Sequence, residues 1–483
     1  MTLAKSILII HLLALSVFAL GYQPVVLSSE QAKAEIDLLR RSLESIHPGL
    51  YRYTPKDKID LEFARLEALA RKPINDIDLY REISLTLAAI RCDHTKAELP
   101  PALSRFRNEN GTHFPFRFRI FGPRLYVVEA AEGLDLPRGS EIEEINGRKV
   151  SELIRTLSAF VSVDGFTDHV RPFKLAEDSD LMGADFDHFY PFVYGFAENI
   201  KLKFRRPGSR NTQYVDTKPI TYPQWKQLRP EGAVSNFSDD GAVELKLLDQ
   251  KTAYLNIETF VNYRTPVDAS QVFRPIFARL RSEGVDHLIL DLRQNGGGSD
   301  DVPASLTRFL LKGPAKVRRT TAVRSVKFDE TLRPYLQTWN NSIFSLKADD
   351  FDENPEGLFQ RKANEAELIP EPEAFGGKVT VLTSSYNASG VVMLLASLRE
   401  MREMTFVGEE TGGSAEGPTA GVIVFLKLPH SKITVRVPVY RSYTFVKNAI
   451  PGKGIIPDVK VAETIADLLA KRDPVLASAM KKR

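Results

Sequence analysis

The chain has 483 residues, 43% of them hydrophobic and 26% charged, with a formal net charge of only +3. That is the composition of a soluble globular protein, and the length predicts two or three domains. No basic stripe carries interleaved aromatics, which argues against a nucleic-acid partner.

Residues 1–21 read as a signal peptide. Lys5 supplies a positive start, Ile7–Leu20 is apolar apart from His11 and Ser16, and Ala19-Leu20-Gly21 offers small residues where a signal peptidase cuts. The stretch is short for a membrane span, so a membrane is expected only through an uncleaved signal anchor. The expected location is therefore exported, periplasmic or extracellular. Cys92 is the single cysteine, so no internal disulfide is expected. It is either a reactive thiol or a buried small hydrophobe, and the second reading is preferred.

Residues 22–98 form an N-terminal helical region. Ser29 is a candidate cap, Ile36, Leu39, Leu43 and Ile46 recur at helical spacing, and Pro48-Gly49 ends the first helix. Further helices are expected over 57–70 and 76–90, ending at Asp93-His94-Thr95. Residues 99–240 change period. Phe116–Ile120 and Arg124–Ala130 predict a hairpin, Ile142–Ile145 a strand, Asn146-Gly147 a tight turn, Ser151–Phe160 a helix, and Ile200–Phe204 and Gln213–Asp216 strands.

Residues 241–470 alternate strand and helix, which predicts a mixed α/β sheet covered by helices. Strands are expected over Thr252–Ile257, His287–Leu292 and from Lys378, with helices over Val267–Glu283 and Val302–Leu311. Residues 313–375 give no clear period. Residues 471–483 are a basic C-terminal tail.

Two stretches of this core carry chemistry. Val379–Thr383 runs into Ser384-Ser385-Tyr386-Asn387-Ala388-Ser389-Gly390 and a helical pattern follows. A serine at such a corner faces unpaired N–H groups and the positive end of the helix dipole, so Ser389 can be a nucleophile. The same placement also makes a plain N-cap. Upstream, Leu288–Leu292 ends in Asn295-Gly296-Gly297-Gly298. That run is either a phosphate cradle, half of an oxyanion hole, or a loop without chemistry. Ser299-Asp300-Asp301 beside it and the lack of P-loop spacing argue against phosphate. No His-Glu-x-x-His or clustered His/Cys spacing appears, so neither a metal nor a cofactor is expected.

Taken in order, Asp291-Leu292-Arg293-x-Asn295-Gly296-Gly297-Gly298, Val381–Ser389, Val407-Gly408-Glu409-Glu410-Thr411-Gly412-Gly413, Leu428-Pro429 and Gly454-Ile455-Ile456-Pro457-Asp458 resemble the C-terminal processing (tail-specific) serine peptidase superfamily, including the tricorn core and the interphotoreceptor retinoid-binding protein modules. The segment Gly139-x-x-Ile142-x-x-Ile145-Asn146-Gly147 resembles its PDZ-like domain, without the Gly-Leu-Gly-Phe loop that captures carboxylates. The resemblance implies a ClpP/crotonase-like peptidase core and a peptide or unfolded-protein substrate. It makes Ser389 the nucleophile and the N–H groups of Gly297 and Gly390 the oxyanion donors.

The lysine that some members use as base is replaced by Ser414. The resemblance then points to the histidine type, in which His94 of Asp93-His94-Thr95 is the general base. His94 read alone is a structural histidine, and His430 is the nearest competitor for its role. The glutamate expected before Gly454 is Pro451, which leaves Glu409, Glu410 and Glu416 as possible orienting acids. The alternative is a catalytically impaired periplasmic binding or scaffold protein on the same fold. Oligomeric state is not legible.

Overall fold

A computed structural model describes residues 21–177, 181–228, 234–362, 364–447 and 449–481. Residues 1–20 of the segment 1–21 read as a signal peptide lie outside the described residues.

The helical lead-in is present as Ser29–Ile46, Lys56–Leu69 and Asp76–Ala89. Its first cap is Ser28 rather than Ser29: the Ser28 hydroxyl accepts from the Gln31 N–H while the Gln31 side chain returns to the Ser28 N–H, a reciprocal capping box. The Ser29 hydroxyl donates to the Ala70 carbonyl instead, tying the first helix to the end of the second.

Residues 116–217 form a sheet in the order Phe116–Phe121, Arg124–Ala130, Glu141–Ile145, Ile200–Arg205, Thr212–Thr217, antiparallel throughout. The predicted turn at Asn146-Gly147 has φ of 51° and 74°, the left-handed pair that joins Glu141–Ile145 to Arg148–Lys149.

The α/β core is a six-stranded sheet in the order Val243–Leu247, Thr252–Ile257, His287–Asp291, Lys378–Thr383, Thr405–Gly408, Val459–Lys460. The first pair is antiparallel and the remaining neighbours are parallel. Side chains alternate across the pleat. Leu288, Leu290, Val379 and Val381 face one way, where Phe273, Phe277, Phe309, Val391 and Leu395 from the helices Ala269–Ser282, Asp301–Leu310 and Ser389–Met401 cover them. Ile289, Leu382 and Val407 face the other way and meet Val475 and Ala479. The segment read as a basic tail thus supplies a helix, Pro474–Lys481, that closes the second face.

The unreadable stretch 313–375 belongs to a third sheet. Ala315–Val323 pairs with Thr434–Tyr443, which pairs with Thr419–Lys427 on its other side and with Ala97–Glu98 from the lead-in. Val424, Leu426, Val435 and Val437 share one core with the lead-in helices. This packing holds the end of the lead-in, residues 91–98, against the peptidase-like core. Among the described residues no helix is long and apolar enough to cross a membrane.

Candidate active site

Three neighbouring parallel strands end on the same edge of the core sheet, and each feeds a loop into one place. His287–Asp291 leads to Gly296-Gly297-Gly298, Lys378–Thr383 leads to Ser389, and Thr405–Gly408 leads to Thr411-Gly412-Gly413. The carboxyl ends of parallel strands are where ligands bind in such sheets.

Asn387 fastens the three loops. Its Oδ1 accepts from the Ser384 N–H at 2.8 Å, its Nδ2 donates to the carbonyls of Leu292 at 2.6 Å and Asn295 at 2.9 Å, and its own carbonyl accepts from the Gly413 N–H at 2.9 Å. The sequence shows Asn387 only as one more turn residue.

Ser389 is the first residue of its helix, and the cap is Ala388, which makes no side-chain cap bond. The N-cap reading of Ser389 therefore does not describe this corner. Ser389 has φ of 52°, a conformation that costs a non-glycine residue energy and tends to be kept at functional sites. Two glycines give it room. A Cβ on Gly297 would lie 2.9 Å from the Ala388 carbonyl oxygen and the Gly390 nitrogen and 3.0 Å from the Ser389 Cβ, and one on Gly413 would lie 3.3 Å from the Ser389 nitrogen.

The two expected oxyanion donors differ in their present engagement. Gly390 opens the helix beside Ser389. The Gly297 N–H donates to the Asn295 Oδ1 at 2.9 Å, inside its own loop. Gly298 pairs with Phe260 through the Gly297 carbonyl and the Ser299 N–H. Extended backbone alternates, so the Gly298 N–H and carbonyl point to the opposite side, toward Gly390. A Cβ on Gly390 would lie 3.3 Å from the Gly298 oxygen and 3.5 Å from its nitrogen. Gly298, which the motif reading gave only a shaping role, thus lies directly against Gly390.

The segment that carries His94 is linked to this edge by a chain of clamps. The Asp93 N–H donates to Asp164 Oδ1 at 2.9 Å, the Gly165 N–H to the Arg91 carbonyl at 3.0 Å, and the Thr167 hydroxyl to the Gly412 carbonyl at 2.7 Å. Thr95 is held by His47, whose Nδ1 accepts the Gly49 N–H at 3.0 Å. His47 therefore carries its proton on Nε2 and donates to Thr95 Oγ1 at 2.8 Å. Burial pushes the His47 pKa down to about 3, so that ring stays neutral. Among the described residues no hydrogen bond joins Ser389 to His94, and such contacts often tighten only with substrate.

The acid beside His94 is Asp164, which the sequence reading did not single out. Cys92, His94 and Asp164 bring one ligand-type atom each within 4.8 Å of one another. His94 Nδ1 and Asp164 Oδ2 are both buried without a hydrogen-bond partner. Burial raises the Asp164 carboxyl above its usual range, and the His94 charge opposes that rise. Burial also acts on Asp93, but Lys174, Lys96 and His94 hold its carboxyl well below the usual range. The trio has the donor types of a metal site. Its thiol does not fit one, because burial pushes Cys92 up to about 12 and Sγ points at the Thr419 carbonyl, 3.5 Å away.

The three glutamates named as possible orienting acids each hold a loop. Glu409 Oε2 accepts from the Ser385 N–H at 3.2 Å, Glu410 Oε1 from the Gly454 N–H at 2.9 Å, and Glu416 Oε2 from the Gly452 N–H at 2.7 Å. His430 stands elsewhere, exposed, with Nδ1 3.4 Å from Gln31 Nε2 on the first helix.

Residues 251–461 match the model of peptidase family S41. The core is similar to the domain of that family. The resemblance to the C-terminal processing peptidases therefore holds, and the sheet and its helices are the fold of that domain. Two solved structures are similar over nearly the whole chain. Mature CPAF complexed with lactacystin is 14% identical, with a TM-score of 0.62, covering 94% of this chain and 97% of that one. Mature CPAF alone is 14% identical, with a TM-score of 0.61, covering 94% and 96%. At that identity the likeness speaks for the fold, which in both cases extends beyond the S41 domain into the lead-in and the antiparallel sheet.

Proposed function

We propose that this chain is an exported serine peptidase that cleaves peptides or unfolded proteins. Ser389 attacks the scissile carbonyl, and His94 takes the hydroxyl proton and returns it to the leaving amine. Asp164 orients the ring and balances its positive charge. The oxyanion is held by the Gly390 N–H together with the Gly298 N–H, or with that of Gly297 once Asn295 releases it.

The observation that carries the reading is Ser389 itself. It is a non-glycine residue held at φ 52° at a strand-to-helix corner, packed against Gly297 and Gly413, where a Cβ would crowd it. Incubating the mature protein and Ser389→Ala with denatured casein and a peptide library tests it. Cleavage by the first and not by the second is expected, and equal cleavage by both would overturn it.

The binding-protein alternative rested on the missing glutamate before Gly454. Asp164 supplies a carboxylate by another route, which weakens that alternative. Labelling of folded protein by a fluorophosphonate at Ser389 separates the two readings. Export rests on the sequence of residues 1–21 and is tested by N-terminal sequencing of the secreted form.

A further inference from the structure

The glycine loop is also tied to the C-terminal helix. Pro474–Lys481 lies on the face of the core sheet opposite the Ser389 helix, where Val475 and Ala479 meet Ile289, Leu382 and Val407. Asp473, the residue before it, does two things with one carboxylate. Its Oδ1 accepts from the Leu476 N–H at 2.9 Å, which caps the helix. The same oxygen accepts from Arg293 Nη1 at 2.8 Å, and Oδ2 accepts from Arg293 Nη2 at 2.7 Å, a two-pronged ion pair.

Arg293 lies two residues beyond the strand His287–Asp291, where the glycine loop begins. Its Nε donates to Asp291 Oδ1 at 3.0 Å and its Nη2 to Asp291 Oδ2 at 2.6 Å, and the Tyr254 hydroxyl donates to Asp291 Oδ2 at 2.7 Å. One guanidinium thus stands between two carboxylates. The Asp291 side chain is 4% exposed and that of Asp473 is 38% exposed. Burial acts to raise the Asp473 carboxyl, but Arg293 and the Leu476 N–H outweigh it and hold the group below the usual range. The Asp291 pair holds the arginine to its own strand. The Asp473 pair, across 180 positions of chain, holds it to a different element.

The main chain carries that restraint toward Ser389. The Arg293 carbonyl accepts from the Ser384 hydroxyl at 2.6 Å, in the turn that leads to Ser389. Two residues on, the Asn295 carbonyl accepts from Asn387 Nδ2, and the Asn295 side chain holds the Gly297 N–H. We infer that Asp473 is a positioning residue of the peptidase reaction. Through Arg293 it fixes the start of the glycine loop, and with it the loop amides that serve the oxyanion, relative to Ser389. This rests on the peptidase reading above. Asp473 acts from the far face of the sheet and through the arginine alone.

Asp473→Asn and Asp473→Glu in the full mature chain test it. Asparagine caps a helix about as well as aspartate, and Arg293 keeps its buried partner Asp291, so Asp473→Asn is expected to melt close to the parent. Its kcat on denatured casein is expected to fall about 10- to 100-fold, with KM changed less than twofold. Glutamate is not a favoured cap but keeps the charge, so Asp473→Glu is expected to recover most of kcat even where it melts lower. Amide hydrogen exchange over residues 293–298 reads the loop without turnover. Exchange is expected to be faster in Asp473→Asn than in the parent and to return toward the parental rate in Asp473→Glu. An unchanged kcat in Asp473→Asn, or a kcat that follows melting temperature across the two variants, overturns the inference and leaves the peptidase reading standing. A parent that cleaves nothing overturns the peptidase reading instead. Exchange then decides the clamp, and equal rates in the parent and Asp473→Asn overturn it.

Discussion

Asp164 and His94 belong to one cluster with Cys92, and Asp164 Oδ2 and His94 Nδ1 are both buried without a hydrogen-bond partner among the described residues. Asp164 enters from the segment after Phe160, while His94 closes the lead-in. The Asp93 N–H bonded to Asp164 Oδ1 locks the two segments together.

Asp164→Asn is expected to lower kcat about 10²- to 10⁴-fold, with KM changed less than twofold, because the side chain acts through the histidine ring rather than on substrate. Asparagine retains the oxygen that accepts the Asp93 N–H. Burial raises the folded-state pKa of Asp164 above its unfolded value, so its stabilising proton is lost as pH rises. The variant is therefore expected to melt no lower than the parent at pH 7, and higher if burial dominates. Steady-state kinetics and thermal unfolding on the same preparations check this. Loss of activity together with loss of stability would indicate a merely structural residue.

Asn387→Ala removes the side chain that joins the Ser389 loop to the glycine loop and leaves the carbonyls of Leu292 and Asn295 without those donors. The expected cost is about 2–4 kcal/mol in urea unfolding, together with a fall in kcat larger than any change in KM. An unaltered kcat would mean that the loops hold their positions without it.

Asp187 gives a pH dependence far from the site. It is fully buried, its Oδ1 accepts the Phe114 N–H at 2.8 Å, and burial raises its pKa to about 7. Its bound proton stabilises the fold fully below the ordinary carboxylate range and is lost as pH rises through about 7. The parent protein is expected to melt lower at pH 8.5 than at pH 5.5, and Asp187→Asn is expected to narrow that difference. Parallel curves for the two proteins would contradict the assignment.

Cys92 is buried with a pKa pushed up to about 12, so it is protonated at neutral pH. Iodoacetamide and EDTA are each expected to leave peptidase activity within twofold of the untreated protein. Loss of activity to EDTA, restored by zinc, would instead make Cys92, His94 and Asp164 a metal centre.

Much of the fold was legible because its signals are local. Thr252–Ile257 was read to its ends, and the helices of the lead-in to within about a residue, since apolar spacing and turn chemistry act over a few positions. The stretch 313–375 was not legible, because Ala315–Val323 is stabilised by Thr434–Tyr443 rather than by its neighbours in sequence. The tail was misjudged for a similar reason. Val475 and Ala479 matter only against Ile289, Leu382 and Val407.

The sequence by itself determined the order of motifs, the strand-to-helix corner at Ser389 and the glycines that face it, because these depend on neighbouring residues and on backbone conformations that few side chains tolerate. Only the tertiary structure decided which acid meets His94, which way the Gly297 and Gly298 amides point, and that Asp473 pairs with Arg293. Those relations join residues far apart in the chain, and burial, pairing and charge at such junctions are set by packing that no local pattern encodes.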